Sequence, residues 1–406
     1  MVGEIVQSQQ KKVLMLGGSY FQLSIIKCAK EAGHYVIVCD YNPNNPGREL
    51  ADEYHEVSVI DREAVLDVAK SAEIDGILVY AFDPAAPVVA YVAEKLNLPT
   101  NPYESVMILT RKDLFRAFLT EHGFNVPQSC SYYNLDQAKK FFAQIKKPVM
   151  VKPVDNAGSK GVRKISDISE LESAFNYALS YSTEKKVVIE EFIQRVGYQI
   201  DGDGFVVDGK LVFTGFADQH IDKYCNPYVP IGESVPSIQP EEFQQKARDE
   251  IQRALTLLNW RNGALNIEYI VDERGDIYIL EIGPRNGGNL IPDMLKLATG
   301  VDLIQYTVNA ALGLDCSSLK MESPQGCYST YIVHSTTSGV LKEIIFTDEI
   351  RSNIVYYQGF VQPGTYVERF DGSDRTLGAM ILKFSSVDEM LEKIDNMGLY
   401  IHVITG

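Results

Sequence analysis

Two periods of apolar positions alternate along the first hundred residues. KKVLMLG (11–17) is the unbroken apolar run of a strand buried on both faces, and Gly17-Gly18-Ser19 then reads as a tight turn. Residues 20–32 repeat their apolar positions at helical spacing, Gly33 ends that helix, and YVIVCD opens a second strand. A helix at 62–71, the strand GILVYA and a helix at 84–96 continue the series. Strands alternating with helices in this way predict an N-terminal doubly wound parallel sheet, an α/β domain.

After residue 103 the pattern changes. An amphipathic helix spans 110–122, and short strands with a helix run to about 195. FVVDGKLVFTGFA reads as a hairpin turning at Asp208-Gly209, a helix covers 240–258, and ALNIEYIVDERGDIYILEI is a second hairpin. Helices at 290–298 and 302–312 are each followed by a glycine, Gly300 and Gly313. From about 320 the chain is β-rich, with PGTYV and DGS turns and one helix at 387–396. With 406 residues it exceeds one compact core. The expected division is an N-terminal domain at 1–103, an α+β module at 104–318 with a lid at about 125–190, and a small β-rich C-terminal domain at 319–406.

Charge and cysteine usage narrow the partners. A formal net charge of −16 argues against nucleic acid or an anionic membrane, although a local basic pocket could still take a phosphorylated ligand. The six cysteines are scattered without CxxC spacing, against thioredoxin-type or zinc chemistry. MVGEIVQSQQKK lacks the apolar run of a leader and no 18-residue apolar stretch follows, so a cytoplasmic chain with reduced thiols is expected.

The chemistry concentrates between 110 and 290. Gly17-Gly18-Ser19 lacks the spacing of a dinucleotide fingerprint; it lets a helix start close to the sheet or offers that helix's N-terminus to an anion. Asp83, at a strand end before Pro84, is a helix cap or a substrate contact. Lys152 lies on the strand PVMVKP, and DNAGSKGV follows. There Gly158 and Gly161 free the backbone to wrap phosphate oxygens, while Ser159 adds a hydroxyl and Lys160 a charge. The spacing is not that of a P-loop. The strand KKVVIEEFI ends in Glu190, Glu191, Phe192 and Ile193, whose backbone could read an adenine.

Glu268 and Glu281 are the sharpest feature. They lie on the two arms of the hairpin that turns at Glu273-Arg274-Gly275, and in-register pairing makes them cross-strand neighbours on one face. Like charges so placed destabilise a sheet unless a cation joins them, and Mg²⁺ fits hard carboxylate ligands. Arg285 follows four residues later, then Asn286, Gly287, Gly288 and Asn289, the last a candidate cap for the helix LIPDMLKLA. A guanidinium and a helix start beside an acidic pair make an anion site suited to a phosphoryl group or a carboxylate. The loop 218–236, with His220, Lys223 and Tyr228, is a candidate for substrate contacts or an ordinary proline-stiffened loop.

Taken in order, these parts resemble the ATP-grasp superfamily, in its carboxylate–amine ligase and biotin-carboxylase-like branch. The order runs from an N-terminal α/β domain through Lys112 in TRKDLFRAFL, Lys152, the glycine loop and the EEFI hinge to Glu268, Glu281 and Arg285. The segments HSTTSGVL, QPGTYV and LGAMILKFSSVDEML are similar to that branch's small C-terminal domain.

The resemblance implies ATP and Mg²⁺ as cofactors, with Mn²⁺ as an alternative ion. Lys112 and Lys152 would hold phosphates under the loop 155–162. Glu190, Glu191, Phe192, Ile193 and Gln199 would line the nucleoside pocket, Glu268 and Glu281 would ligate the metal, and Arg285 would stabilise an acyl phosphate. Two departures stand out: Gln199 where the family often has glutamate, and Gly283 where it often has a metal-ligating asparagine. The implied reaction joins a carboxylate to an amine, both small molecules, with a homodimer as the candidate assembly. A bicarbonate-activating enzyme of the carbamoyl-phosphate-synthase kind and a non-catalytic nucleotide-binding module are the alternatives.

Overall fold

Strands β1 (Lys12–Leu16), β2 (Tyr35–Cys39), β3 (Glu53–His55) and β4 (Gly76–Val79) form the expected parallel sheet in the order β3-β2-β1-β4. This computed structural model describes residues 10–406, so most of the segment read for a leader lies outside the described residues. One face of the sheet packs Val13, Met15, Val36 and Val38 against the helix Leu23–Glu31 and, from much later in the chain, Ile304 and Val308 of the helix Leu303–Ala311. The other face packs Leu14, Leu16 and Ile37 against the helices Arg62–Ala72 and Ala86–Leu96. Its core continues through Phe115 into Ile267, Tyr269 and Ile279, so N-terminal and central regions share apolar contacts.

A second sheet, β5-β8-β6-β7, is built from β5 (Ser129–Tyr132), β6 (Val149–Pro153), β7 (Arg163–Ile165) and β8 (Val187–Glu191). It carries the helices Leu135–Phe142 and Ile168–Ser180 and has its own core of Phe142, Val149, Val151, Leu171, Phe175 and Ile189. A segment with a private core can move as one body.

The remaining strands are β9 (Gln199–Val207), β10 (Lys210–Ile221), β11 (Pro230–Val235), β12 (Gly263–Val271), β13 (Ile277–Gly283), β14 (Cys327–Val333), β15 (Gly339–Phe346), β16 (Ile354–Gly359), β17 (Tyr366–Val367), β18 (Gly378–Phe384) and β19 (Ile401–Thr405). Eight of them form one sheet in the order β13-β12-β9-β10-β11-β14-β18-β16, and β17-β15-β19 form a small one. The β-rich tail therefore extends the central sheet: β14 pairs with β11 through Ser234–Ser329 and Val235–Tyr328. Cys225, Val229 and Ile231 of the preceding loop and strand sit in the tail's core with Tyr331, Phe370 and Met380.

Both hairpins form as their turns require. Asp208 and Gly209 have φ of 48° and 77°, the left-handed pair of a two-residue turn. The helix Ile291–Thr299 starts differently from the expectation. Asn289 and Leu290 are both left-handed, with φ of 53° and 65°, and the Asn289 amide donates to Glu233 Oε1 at 3.4 Å instead of capping. Among the described residues, no helix is long and apolar enough to cross a membrane.

Candidate active site

Glu268 and Glu281 are direct partners across β12 and β13, as the turn position predicts. Beyond them the register slips: Tyr269 faces Ile279, leaving Leu280 as an extra residue on β13. On its other side Glu268 pairs with Asp201 of β9. Partners in an antiparallel ladder share a face, so Asp201, Glu268 and Glu281 form one acidic row across three strands.

The cations come from elsewhere. Lys112 opens the helix Lys112–Glu121; its Nζ lies 3.1 Å from Glu281 Oε2 and donates to the Asn156 carbonyl in the glycine loop at 2.7 Å. Burial would lower the lysine's proton affinity, but Glu281 more than offsets this and raises it. Burial likewise works against the Glu281 carboxylate, yet Lys112, Arg285 and Lys152 hold its pKa below the ordinary value. Among the described residues Glu268 makes no direct ion pair, and the more distant Lys112 and Lys152 offset its burial only in part. Burial, Asp201 and Glu281 push its pKa well above the usual range, and only the Gln199 amide donates to it, at 2.8 Å.

Lys152 on β6 donates to Glu190 Oε1 at 2.5 Å, and the Arg116 Nε–H donates to Glu190 Oε2 at 3.0 Å. Burial opposes ionisation of Glu190, but Arg116 and Lys152 outweigh it and bring its pKa to about 2. The Glu190 side chain is thus committed to holding Lys152, and its backbone lies inside the sheet between Ser129 and Met150. Arg116 also donates to the Leu280 carbonyl at 2.9 Å, on the residue that the bulge leaves over. Arg116 was missed from sequence although it stands four residues after Lys112, on the same helix face. Glu191 meets Lys146 at 3.4 Å, and Phe192 lies under Lys164, 3.7 Å from ring centre. The N–H groups of Glu191 and Phe192 already donate to Gln128 and Pro148 carbonyls, and Ile193 is half-buried beyond them.

Arg285 is paired with Asp83, whose carboxylate raises the guanidinium's pKa against the opposing effect of burial. Asp83 therefore orients Arg285 and caps no helix. This pair accounts for Gly283: a Cβ there would lie 2.7 Å from Asp83 Oδ1 and 3.1 Å from Arg285 Cζ. Asn286 and Gly287 are tied to Asp203, which accepts from the Gly287 N–H at 2.7 Å and the Asn286 amide at 3.2 Å. They position the arginine's loop. Burial lifts Asp201 to about 8, and Asp203 and Glu233 each to about 7. The sequence signal for the first two was Asp-Gly-Asp on one strand, which puts both carboxylates on the same face.

In the glycine loop, Ser159, Gly158 and Gly161 are left-handed, with φ of 56°, 67° and 76°. The Ser159 hydroxyl donates to the Tyr228 carbonyl, and a Cβ on Gly158 would lie 2.5 Å from Ser373 Oγ. Lys160 is half-buried, its Cγ 3.8 Å from where a Cβ on Gly372 would stand. His220 is not brought to this site as a free ligand: it is buried and bonded through both ring nitrogens, to Asp395 and Ser234, each at 2.9 Å. Lys223 is exposed.

A lysine-bearing strand, a glycine loop, an acidic hairpin and a clamped arginine in one recess agree with the family comparison. Residues 110–289 match the family model described as the ATP-grasp domain. The chain carries an ATP-grasp domain. This chain is 26% identical over 323 residues to the carbamoyl phosphate synthase large chain, C-terminal section, of Aquifex aeolicus, covering 75% of this chain and 58% of that one. It is 25% identical over 325 residues to the formate-dependent phosphoribosylglycinamide formyltransferase of Bacteroides thetaiotaomicron, covering 77% and 80%. The crystal structure of an L-amino acid ligase from Bacillus licheniformis superposes with a TM-score of 0.85, at 22% identity over 98% of this chain and all of that one. That likeness shows that the shared fold extends beyond residues 110–289 over both flanking regions.

The donor set fits the divalent ion that such domains use. Glu268 and Glu281 are hard oxygen ligands on one face, and Lys112 and Lys152 do not compensate the burial of Glu268.

Proposed function

We propose that this protein is an ATP- and Mg²⁺-dependent ligase that phosphorylates a small-molecule carboxylate and passes the acyl group to an amine. The observation that carries this reading is the meeting of Lys112, Glu281, Glu268 and Asp83-clamped Arg285 beside a glycine loop. Lys112 and Lys152 would hold the phosphates, and Glu268 with Glu281 would hold Mg²⁺, which when bound neutralises phosphate charge. Arg285 would face the group being transferred. A carboxylate oxygen attacks the γ-phosphorus as the bond to ADP breaks. The amine nitrogen then attacks the acyl carbon, loses a proton, and inorganic phosphate leaves. The glycine loop would shield the acyl phosphate from water.

The recess also favours an amine over bicarbonate as the second recognition element. Glu233, fully buried on β11, accepts only from the Thr330 hydroxyl at 2.6 Å and the Asn289 amide at 3.4 Å, and Asp201 accepts from the Asn266 amide at 2.7 Å. Carboxyls buried with amide and hydroxyl partners suit a ligand that brings positive charge. The bicarbonate-activating reading rests on the Aquifex relative, of which this chain spans 58%. Free thiols at all six cysteines agree with a cytoplasmic setting, and a homodimer is the assembly to look for. ADP release measured across pooled acids and amines tests the proposal: turnover should need one acid, one amine and Mg²⁺ together. ADP formed with bicarbonate alone would select the second reading, and no ADP with any pool would leave a nucleotide-binding module.

A further inference from the structure

Away from the phosphate recess, where the tail's core meets the loop after β10, three metal-binding residue types converge. Asp222, Cys225 and His334 each place one donor atom within 4.8 Å of the other two. Cys225 and His334 are buried, and Asp222 is mostly so, its side chain 15% exposed. The elements that bring them together are far apart in sequence: Asp222 and Cys225 follow β10, and His334 follows β14.

The hydrogen bonding of His334 is the decisive feature. Its Nδ1 lies 2.7 Å from the Ile332 carbonyl and its Nε2 lies 2.9 Å from Asp222 Oδ2. Both partners are acceptors only, whereas a neutral imidazole carries one N–H. With Nδ1–H donating to the carbonyl, the Nε2 lone pair faces a carboxylate. A positive species must stand between them, either a second proton on the ring or a metal ion. An Nδ1–H bonded to a backbone carbonyl is also the arrangement that orients a histidine for metal ligation through Nε2.

Cys225 distinguishes the two cases. An imidazolium–aspartate pair has no need of a third donor, yet a buried sulfur stands beside it. Burial and the Asp222 charge push the Cys225 thiol up to about 11 and Arg369 offsets them only in part, so a metal ion would have to displace the thiol proton. The ring of Phe370, 4.6 Å from that of His334, and that of Tyr331, at 5.9 Å, pack against the histidine.

We propose that Asp222, Cys225 and His334 form a transition-metal site, with Zn²⁺ as the ion that suits one oxygen, one nitrogen and one sulfur donor. Binding replaces the thiol proton, which passes to solvent, and closes a link between the loop 222–229 and the end of β14. That loop carries Tyr228, whose carbonyl accepts the Ser159 hydroxyl of the glycine loop, and Asn226, whose amide donates to the Asp371 carbonyl at 3.1 Å. The ion would thus fix the shelf on which the glycine loop rests, a role independent of which acid or amine is joined.

The test uses the full chain, stripped with a chelator and returned to millimolar Mg²⁺. One equivalent of Zn²⁺ should bind tightly, and Co²⁺ in its place should give a thiolate-to-cobalt charge-transfer band. The Glu268–Glu281 pair offers only oxygen and cannot produce that band. Cys225→Ser should abolish the band, and His334→Gln should weaken Zn²⁺ binding by at least about tenfold, with far-ultraviolet dichroism confirming that each variant folds. If Cys225→Ser does not fold, Cys225→Ala serves, since alanine tolerates the buried position. A wild-type chain that binds Co²⁺ without a thiolate band, or that retains no Zn²⁺ in Mg²⁺ buffer, would overturn the site and leave an imidazolium–carboxylate pair. A band that survives loss of Cys225 would assign it to another cysteine and overturn it equally.

Discussion

At the scale of single residues, the recess works by pairing each cation with a carboxylate that also constrains it. Lys152→Ala and Glu281→Ala should abolish ATP turnover while the chain stays folded, because Arg116 remains to neutralise Glu190 and Lys112 retains Asn156. Wild-type turnover in a folded variant would remove these residues from the site. Arg285→Ala should lower kcat by about 10²-fold with ATP affinity nearly kept, the expected signature of a group that acts on the transferred phosphoryl. Equal loss of nucleotide binding would make it a ground-state clamp. Glu190 predicts an acid sensitivity. Its carboxyl, ordinarily near 4.5, is held at about 2 in the folded chain by Arg116 and Lys152 against burial. The stabilisation is therefore present above about pH 4.5 and lost as pH falls toward 2, amounting to about 3 kcal/mol. Denaturant titrations at stepped pH should show this slope in the wild type and not in Glu190→Gln.

At the scale of elements, the glycine loop lies across a junction between the β5–β8 body and the tail, held by Ser159–Tyr228 and by its close approach to Ser373. Those are few and small contacts. Amide exchange at Ala157–Val162 should slow when a non-hydrolysable ATP analogue and Mg²⁺ bind; unchanged exchange at saturation would mean a preformed loop without a gating role. What was legible in the sequence divides along the same line. The Glu268–Glu281 register was readable because a hairpin's turn fixes which residues face each other, and the parallel sheet because β1, β2 and β4 are apolar runs, whereas β3, Glu53-Tyr54-His55, carries no such signal and was not read. The Asp83–Arg285 pair and the Arg116–Glu190–Lys152 chain were not readable, since their partners are separated by 202, 74 and 38 positions and no local rule links them. His220 shows the reverse error: a histidine in a polar loop invites a ligand role, but tertiary packing gives both ring nitrogens to Asp395 and Ser234.

At the scale of the molecule, the tail is the continuation of the central sheet, although its composition reads as a separate small domain. A chain ending at residue 318 would lose β14, leave an unpaired edge on β11 and strip Val229 and Ile231 of their core. Such a chain should aggregate or show no cooperative transition, whereas the intact chain should unfold its central and C-terminal regions together. A stable, monomeric, cooperatively melting chain of 318 residues would contradict this.

The extra residue at Leu280 carries a consequence for how this protein can vary over evolution. Because Leu280 is the surplus residue of the bulge, deleting it would straighten β13 with Glu281 still opposite Glu268 but leave Arg116 without the carbonyl it donates to, and inserting a residue there would move Glu281 out of register with Glu268. Across descendants of this gene, insertions and deletions in the hairpin should therefore accumulate at the Asp272–Asp276 turn, and the stretch from Leu280 to Arg285 should keep its length even where its letters change.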